Sequence, residues 1–390
     1  MRIVQAAWGV FHHFDLAREL DKRGYLLQVY STFPWARLKR EGLPHSKVQT
    51  FPWLHMTQLL VGRYLPSWRL ASDWLGYANT MAFDEWLERN IPLSGVDALI
   101  ALSGAALKPG RHLQQCGGIY ICDRGSTHQL HQERLVNEEL RRWRIDPPVS
   151  GSRDKLFRRE VVIYETADAI TVPSSFAARS FIESGIAKEK VHVIPYGVRL
   201  EKFHRVAEPP SDTFEVLFVG QVGLRKGMPY LLQAFAGLRH PRKRLRVVGS
   251  VQHDFQFILA QLPQGRVEFL GTQPQAEVAR FMSSSHVMVL PSIEEGLALV
   301  QGQAMACGCP VLASTNTGAE DLFTDGVQGF IVPIRDPDAL RERLQQLADD
   351  PALQRRMSEA ALLRVQHLGG WRQYGDLWVS LLERLLAARR

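Results

Sequence analysis

The chain of 390 residues has no run of about 18 apolar residues, the length a bilayer-spanning helix needs, so no membrane span is expected. Its opening, MRIVQAAWGV, is too short and too strand-like for a signal peptide. Cysteine is scarce. Cys116, Cys122, Cys307 and Cys309 give no disulfide framework, and Cys307 and Cys309 have no His or Cys partner at zinc spacing. All four read as reduced and structural, which favours a cytoplasmic protein. Two phosphate signatures are missing as well: there is no G-x-x-x-x-G-K-[ST] and no G-x-G-x-x-G, which excludes a P-loop and weakens a dinucleotide reading. No metal-binding Asp-x-Asp stands out, because Asp336-Pro337-Asp338 follows a strand and reads as a helix start.

What the chain does have is an excess of positive charge, +7 with a pI near 9.3, and 45% hydrophobic residues. The charge favours anionic partners, nucleotide phosphates or an anionic membrane face. The basic residues are spread out without an RNA-binding signature, so nucleic acid is not expected as a partner. The length allows about two or three domains and a sizeable core.

Short apolar runs alternate with helical spacing along the whole chain. In the first half, strands are expected at 2–7, 26–31, 97–102, 118–122, 168–172 and 191–194, with a helix over 12–23 buried through Phe14, Leu16, Ala17 and Leu20. Further helices fall at 130–144 and 153–166, with a loop over 146–152, and Pro173–Ser174–Ser175 starts another with serine as its cap. After 199–212, polar and proline-containing, strands recur at 214–219, 244–248, 266–270, 287–290, 311–314 and 329–332. Helices begin at Pro229 and near Leu299–Val300, and others cover 338–347, 351–364 and 371–388. Strand–helix alternation of this kind means two parallel-sheet α/β domains in tandem.

Ligands in such folds bind at the carboxyl ends of the strands. In the first half those ends carry Gly9, Ser103, Gly104, Asp123, Arg124 and His128. His128 is read either as a functional or as a structural histidine. In the second half, Gly220–Gln221–Val222–Gly223–Leu224–Arg225–Lys226–Gly227 joins a buried strand to a helix, a cradle in which Arg225 offers bidentate hydrogen bonds and Lys226 a point charge. Gly271 ends another strand of that half. The stretch 288–314, MVLPSIEEGLALVQGQAMACGCPVLAS, places Glu295 before a turn at Gly296 and a helix N-terminus at Leu299 and Val300, with Gln303 about two helical turns beyond Glu295. A helix N-terminus suits a phosphate and a carboxylate suits sugar hydroxyls. The other reading of this stretch is a plain βαβ crossover with solvated acids. Residues 51–89 hold Trp53, Trp68, Trp74 and Trp86 among Leu59, Leu60, Arg63, Tyr64, Leu65 and Arg69. They read as a membrane-surface helix, a groove for a lipid-linked substrate, or helices packed on the sheet.

Taken in order, DAITVPSSFAARSFIESGIAKEKVHVIPYGV, VLFVGQVGLRKGMPYLLQAF and PSIEEGLALVQGQAMACGCPVLAS resemble family 4 retaining glycosyltransferases of the GT-B fold. The resemblance implies an acceptor-binding Rossmann-like domain over 1–197, a nucleotide-sugar domain over 198–370, and a helix over 371–390 crossing back to the first. It implies a metal-independent hexosyltransferase using a UDP- or GDP-linked sugar and no further cofactor. The acceptor would be a hydroxyl of a glycan or lipid-linked glycan in bacterial surface polysaccharide or lipopolysaccharide synthesis, handled at the inner face of the membrane. Carried over by position, Arg225 and Lys226 hold the diphosphate, Glu295 contacts the sugar, Leu299 and Val300 meet phosphate, position 303 holds the ribose and Gly9 lies under the diphosphate. Retention would proceed by same-face attack, with the leaving phosphate oxygen taking the acceptor's proton. The chain departs from the pattern in three places. Gln303 stands for a glutamate, Gln221 stands for an arginine that Arg225 can replace, and no histidine follows the strand ending at Ser103, a role left vacant or passed to His128. A sugar-nucleotide epimerase or hydrolase on the same fold, or a nucleotide-sugar-binding protein with weakened catalysis, fits the same motifs.

Overall fold

A computed structural model describes residues 1–64, 69–149 and 151–389, with the backbone alone at 62–64, 69 and 70. Among the described residues, thirteen strands form two parallel sheets. The first contains β1 (Ile3–Ala7), β2 (Leu26–Ser31), β3 (Val48–Thr50), β4 (Ala98–Leu102), β5 (Ile119–Asp123), β6 (Ala169–Val172) and β7 (Val191–Val193), in the order β3-β2-β1-β4-β5-β6-β7. The second contains β8 (Phe214–Val219), β9 (Lys243–Val248), β10 (Val267–Gly271), β11 (Val287–Leu290), β12 (Val311–Ser314) and β13 (Gly329–Val332), in the order β10-β9-β8-β11-β12-β13. Parallel strands need helical crossovers, which cover both faces, so the central strands are buried apolar runs. β1, β5 and β11 are buried at every residue.

Each sheet reverses its winding between two neighbouring strands, β1 and β4 in the first, β8 and β11 in the second. Such a switch point opens a crevice at the carboxyl ends, and both crevices contribute to one cavity. The short edge strand β3 has no counterpart in the sequence-based assignment, since three residues carry too little pattern. The helix expected over 12–23 runs His13–Lys22, and the 371–388 helix runs Trp371–Arg389. Asp336 caps the helix Pro337–Asp349 through the N–H of Ala339 at 2.8 Å, in keeping with its reading as a helix start.

The final helix packs on His13–Lys22 of the first lobe. Gly375 lies against Glu19, Trp378 is fully buried, and Arg23 reaches Asp376 at 2.5 Å. One apolar cluster runs from Ile3 and Phe14 through Tyr196, Val198 and Phe203 to Met288, Ala304 and Trp378, so the segment joining the sheets is itself core. The helix Gln129–Arg142 also crosses between lobes. It starts on the first sheet at His128, and Leu135 is buried with Phe214 and Val216 of the second. There the buried Glu139 accepts from Tyr230 Oη at 2.7 Å, Trp143 Nε1 at 2.9 Å and Arg335 Nε at 2.7 Å.

In the tryptophan-rich stretch, the helices Trp53–Tyr64 and Arg69–Asn90 pack on each other. Trp86 stacks on Phe51 and Phe83, with ring centroids 5.3 and 6.0 Å away, and packs, partly buried, against the core. Trp53 and Trp74 are 75% and 60% exposed. Leu65 and Trp68 lie outside the described residues, as do the side chains of Arg63, Tyr64 and Arg69. No helix among the described residues is long and apolar enough to cross a membrane.

Candidate active site

A cavity of about 810 Å³ lies between the carboxyl ends of the two sheets. Its second-lobe wall is built by two loops that hydrogen-bond to each other. The turn after β8 carries Arg225 and Lys226, and the loop after β11 carries Glu294 and Glu295. The N–H of Ile293 donates to the carbonyl of Arg225 at 2.8 Å. Gly227, at φ +69°, makes the close approach possible, because a Cβ there would stand 1.9 Å from the carbonyl oxygen of Pro291. Asn316 ties the acidic loop down from β12, accepting from the Glu295 N–H at 2.9 Å and donating to the Ile293 carbonyl at 2.9 Å.

Lys226 Nζ is in direct contact with Glu295 Oε1, and Arg225 Nη1 lies 3.3 Å from the same oxygen. Burial opposes the charge on Arg225, but Glu295 and Glu294 outweigh it and hold the guanidinium above its ordinary range. The helix Leu299–Ala306 begins at Ala298 without a side-chain cap, and Leu297, Ala298, Leu299 and Val300 line the cavity, so its uncapped end adds backbone N–H groups beside the two cations. Gln303 also lines the cavity, where its amide can donate or accept.

The first-lobe wall includes Trp8, Phe11, His12, Ser103 and Arg124, with Tyr196, Arg199 and Trp371 from the connecting segments. Arg124 is held by its neighbours, donating to Gln132 at 2.7 Å, Gln129 at 2.9 Å, Thr127 O at 3.1 Å and Ser103 Oγ at 3.3 Å. His12 Nε2 lies 2.6 Å from Asp123 Oδ2, and its ring packs at a tilt of 36° on Tyr196 with centroids 4.5 Å apart. His13 Nε2 is 3.1 Å from the same oxygen, and Thr171 donates to Asp123 Oδ1 at 2.8 Å. Burial would raise the Asp123 pKa, but the two imidazoles outweigh it and hold it well below the usual carboxylate range. Three ligand-type atoms of His12, His13 and Asp123 fall within 4.8 Å of one another, at separations that their contacts with the shared carboxylate explain.

The structure thus gathers Ser103, Arg124, Gly220, Arg225, Lys226, Glu295, Leu299, Val300 and Gln303 around one cavity. Other sequence-based candidates lie elsewhere. His128 is buried, caps the helix Gln129–Arg142 by accepting from the N–H of Leu130 at 3.3 Å, and packs on Tyr164 and Phe181. In this position it serves as a helix cap away from the cavity lining, and burial, with Arg124 and His131, pushes its pKa down to about 4. Gly296 faces the other lobe rather than a ligand, since a Cβ there would stand 2.2 Å from the carbonyl oxygen of Gly125. The Gly9 N–H is taken by Thr32 Oγ1 at 3.0 Å. Gln221 is exposed and bonded to Gln252 at 3.0 Å, and Gly104 sits against Glu160 and Trp8. Gly271 ends β10 at φ +63°, away from the cavity wall, and Asp123 stands behind His12. Two residues escaped the sequence reading. Glu294 was overshadowed by Glu295. His12 was absorbed into a helix, although a His-His pair just after the first strand loop was its available signal.

Two parallel-sheet lobes with a cation-lined cavity between their carboxyl ends define the GT-B class of α/β proteins. The Glycosyltransferase Family 4 profile matches residues 10–202 and the Glycosyl transferases group 1 profile matches residues 200–364. The chain belongs to this glycosyltransferase family. It is similar to D-inositol 3-phosphate glycosyltransferase 1 of Catenulispora acidiphila, 32% identical over 254 residues that span 59% of each chain. The match therefore reaches less than two thirds of that relative's length. The fold is similar to sucrose-phosphate synthase from Thermosynechococcus elongatus, with a TM-score of 0.72, 21% identity and full coverage of both chains. It is also similar to Anabaena HepE in complex with UDP-glucose, with a TM-score of 0.69, 18% identity, and 98% and 100% coverage.

Proposed function

We propose that the protein transfers a sugar from a nucleoside-diphosphate sugar to a hydroxyl acceptor, with retention at the anomeric carbon. The carrying observation is the convergence of Arg225, Lys226 and an uncapped helix N-terminus on one interlobe cavity beside Glu295. The departing group of such a donor is an anionic diphosphate, and fixed cations with backbone donors stabilise charge as it develops there. Lys226 and Arg225 rest on Glu295. A bound diphosphate would take over the cations and free the carboxylate for the sugar hydroxyls. Gln303 is placed to bond a ribose hydroxyl. HepE, a protein of similar fold, is described with UDP-glucose, which supports a nucleotide-sugar ligand without fixing its base.

The first lobe would hold the acceptor. Exposed Trp53 and Trp74 favour a lipid-linked glycan, as in bacterial surface polysaccharide synthesis, met at the inner face of the membrane. The cations already at the diphosphate site make this a metal-independent reading. A mass-spectrometric screen of UDP- and GDP-sugars, with and without acceptors and in excess EDTA, tests it. The expected result is acceptor-dependent release of nucleoside diphosphate that survives the chelator. Donor consumption independent of any acceptor would instead indicate an epimerase or hydrolase.

A further inference from the structure

The loop after β1 is pinned at both ends. Gly9, at φ +71°, donates to Thr32 Oγ1 at 3.0 Å and accepts from Ser31 Oγ at 2.7 Å. A Cβ there would stand 2.7 Å from the Phe33 ring, so the loop starts in close contact with its support. Three residues on, His12 Nε2 is held by Asp123 Oδ2 at 2.6 Å, and the helix His13–Lys22 begins. Val10 and Phe11 must span the gap between these anchors. Phe11 does so at φ +42°, a left-handed conformation rare for an aromatic residue. Strain of this kind persists where the surrounding structure over-determines it, often at a functional site.

Phe11 also differs from the other aromatic residues of the cavity wall. Trp8 packs on Phe83 with centroids 5.0 Å apart, Tyr196 on His12 at 4.5 Å, and Trp371 on Tyr374 at 5.2 Å. Phe11 belongs to none of the apolar clusters, meets no ring among the described residues, and is 64% exposed where it lines the cavity. Strained backbone and an uncovered apolar ring both oppose folding, and packing within the chain offsets neither.

The first-lobe wall also carries Asp15, Ser103 and Arg124, with Arg199 from the connecting segment. An acyl chain needs a continuous apolar wall, which these groups interrupt. A pyranose has C–H groups on its face and hydroxyls around its edge, so it can lay the face on an aromatic ring and turn the edge to polar side chains. Arg225 and Lys226, the cations for the donor diphosphate, stand on the opposite lobe. The sugar that meets Phe11 is therefore the acceptor's.

We propose that Phe11 is the platform on which a sugar ring of the acceptor lies, which makes the acceptor a glycoside and Phe11 a specificity-determining residue. The assignment rests on the glycosyl-transfer reading. Phe11 takes no proton and forms no bond. It sets the height and tilt of the ring whose hydroxyl reaches the anomeric carbon, on the face from which the diphosphate departs.

Turnover of UDP-glucose, UDP-galactose and GDP-mannose is measured with octyl β-glucoside, octyl β-galactoside and octyl α-mannoside as acceptors, and with 1-O-octylglycerol as a control that has the same tail and no sugar ring. At least one glycoside is expected to surpass the control. Phe11→Ala should raise KM for that glycoside about tenfold, while KM for the donor and affinity for UDP or GDP stay within about twofold of wild type. Phe11→Trp should restore the glycoside KM to within about threefold, because a larger ring offers the same face. Thermal melting tests the alternative that the ring merely supports the fold. Phe11→Gly relieves the left-handed conformation and is expected to melt no lower than wild type, while it uses the glycoside as poorly as Phe11→Ala. Lower melting of Phe11→Gly and Phe11→Ala with unchanged acceptor KM would make the ring structural and overturn the proposal. A rise in donor KM instead would place the donor on the ring, and equal use of 1-O-octylglycerol would remove the sugar from the acceptor, so either result overturns it too. A wild-type protein that binds UDP or GDP but turns over no donor with any acceptor would sink the glycosyl-transfer reading beneath it.

Discussion

Glu294, on the loop after β11, accepts hydrogen bonds from Thr127, on the loop after β5, through both its hydroxyl at 2.7 Å and its N–H at 3.3 Å. The same oxygen accepts from Ser126 at 2.6 Å, and the other lies 3.2 Å from Arg225. A fully buried carboxylate therefore ties the loop after β5 to Arg225 on the turn after β8. Removing it leaves the Ser126 and Thr127 donors unmatched. Glu294→Ala should lower unfolding free energy by about 3 kcal/mol or more, the scale for breaking a buried charged pair on one side. Chemical denaturation monitored by tryptophan fluorescence checks this. Burial opposes the Glu294 charge, but Arg225, Ser126 and Thr127 outweigh it and hold the pKa below its ordinary 4.5. Its stabilisation is thus complete above pH 4.5 and lost as pH falls below that value, so Glu294→Gln should flatten the acid limb of a stability–pH curve. An unchanged limb would refute the latch.

Glu295 is predicted to act in opposite senses on product and on transfer. Its carboxylate pairs with Lys226 and Arg225, the cations a diphosphate would also use. Glu295→Gln should tighten UDP or GDP binding severalfold, because a competing anion is gone, while slowing sugar transfer at least about tenfold through the loss of one charged contact. Lys226→Ala should weaken diphosphate binding and slow transfer by at least about tenfold on the same scale. Calorimetry with the two diphosphates, beside turnover, separates these effects. Weaker diphosphate binding by Glu295→Gln would show that the carboxylate supports the cations rather than competing for them.

What was legible in the sequence follows from the range of the interactions. β8 and β13 fall on their expected bounds because buried parallel strands are uninterrupted apolar runs closed by turn residues. Arg225, Lys226, Glu295 and Gln303 were visible because each lies on a short loop or helix start whose position follows from its own strand. The Asp123–His12 and Glu294–Thr127 pairs span 111 and 167 residues, and no local pattern announces such partners. Similarly, Gln129–Arg142 reads locally as a charged helix, whereas Leu135 and Glu139 serve the core of the other lobe. His128 looked functional from its place at a strand end. Its burial against Tyr164 and Phe181, which no local pattern announces, places it off the cavity wall.

His128 is predicted to act on stability and not on turnover. Its pKa is pushed from 6.5 down to about 4, chiefly by burial, so the folded protein keeps it neutral where the unfolded chain protonates it. Stability should therefore fall as pH drops from 6.5 to about 4 and gain no further slope from this group below that. The loss is on the order of 3 kcal/mol at 1.36 kcal/mol per unit. His128→Asn preserves a side-chain cap and should remove this slope while turnover at neutral pH stays within about twofold of wild type. A much larger loss of turnover in a folded variant would return His128 to the site.

The tryptophans divide into two kinds, and lipid vesicles distinguish them. Trp86 is partly buried, stacks on Phe51 and Phe83 and meets Tyr30 edge-on at 5.6 Å, so Trp86→Ala should destabilise the first lobe by about 2 kcal/mol, below the range for a fully buried aromatic truncation. Trp53 and Trp74 are 75% and 60% exposed and support no comparable packing. The double change Trp53→Ser, Trp74→Ser should leave the melting temperature nearly unchanged but reduce co-sedimentation with phosphatidylglycerol vesicles, where indole rings sit at the headgroup level. The net charge of +7 adds attraction to the anionic surface, so wild-type binding should weaken between low and physiological salt. The decisive comparison is the double variant against wild type at physiological salt, where the charge contribution is screened. Equal binding there would leave the exposed indoles without a membrane role.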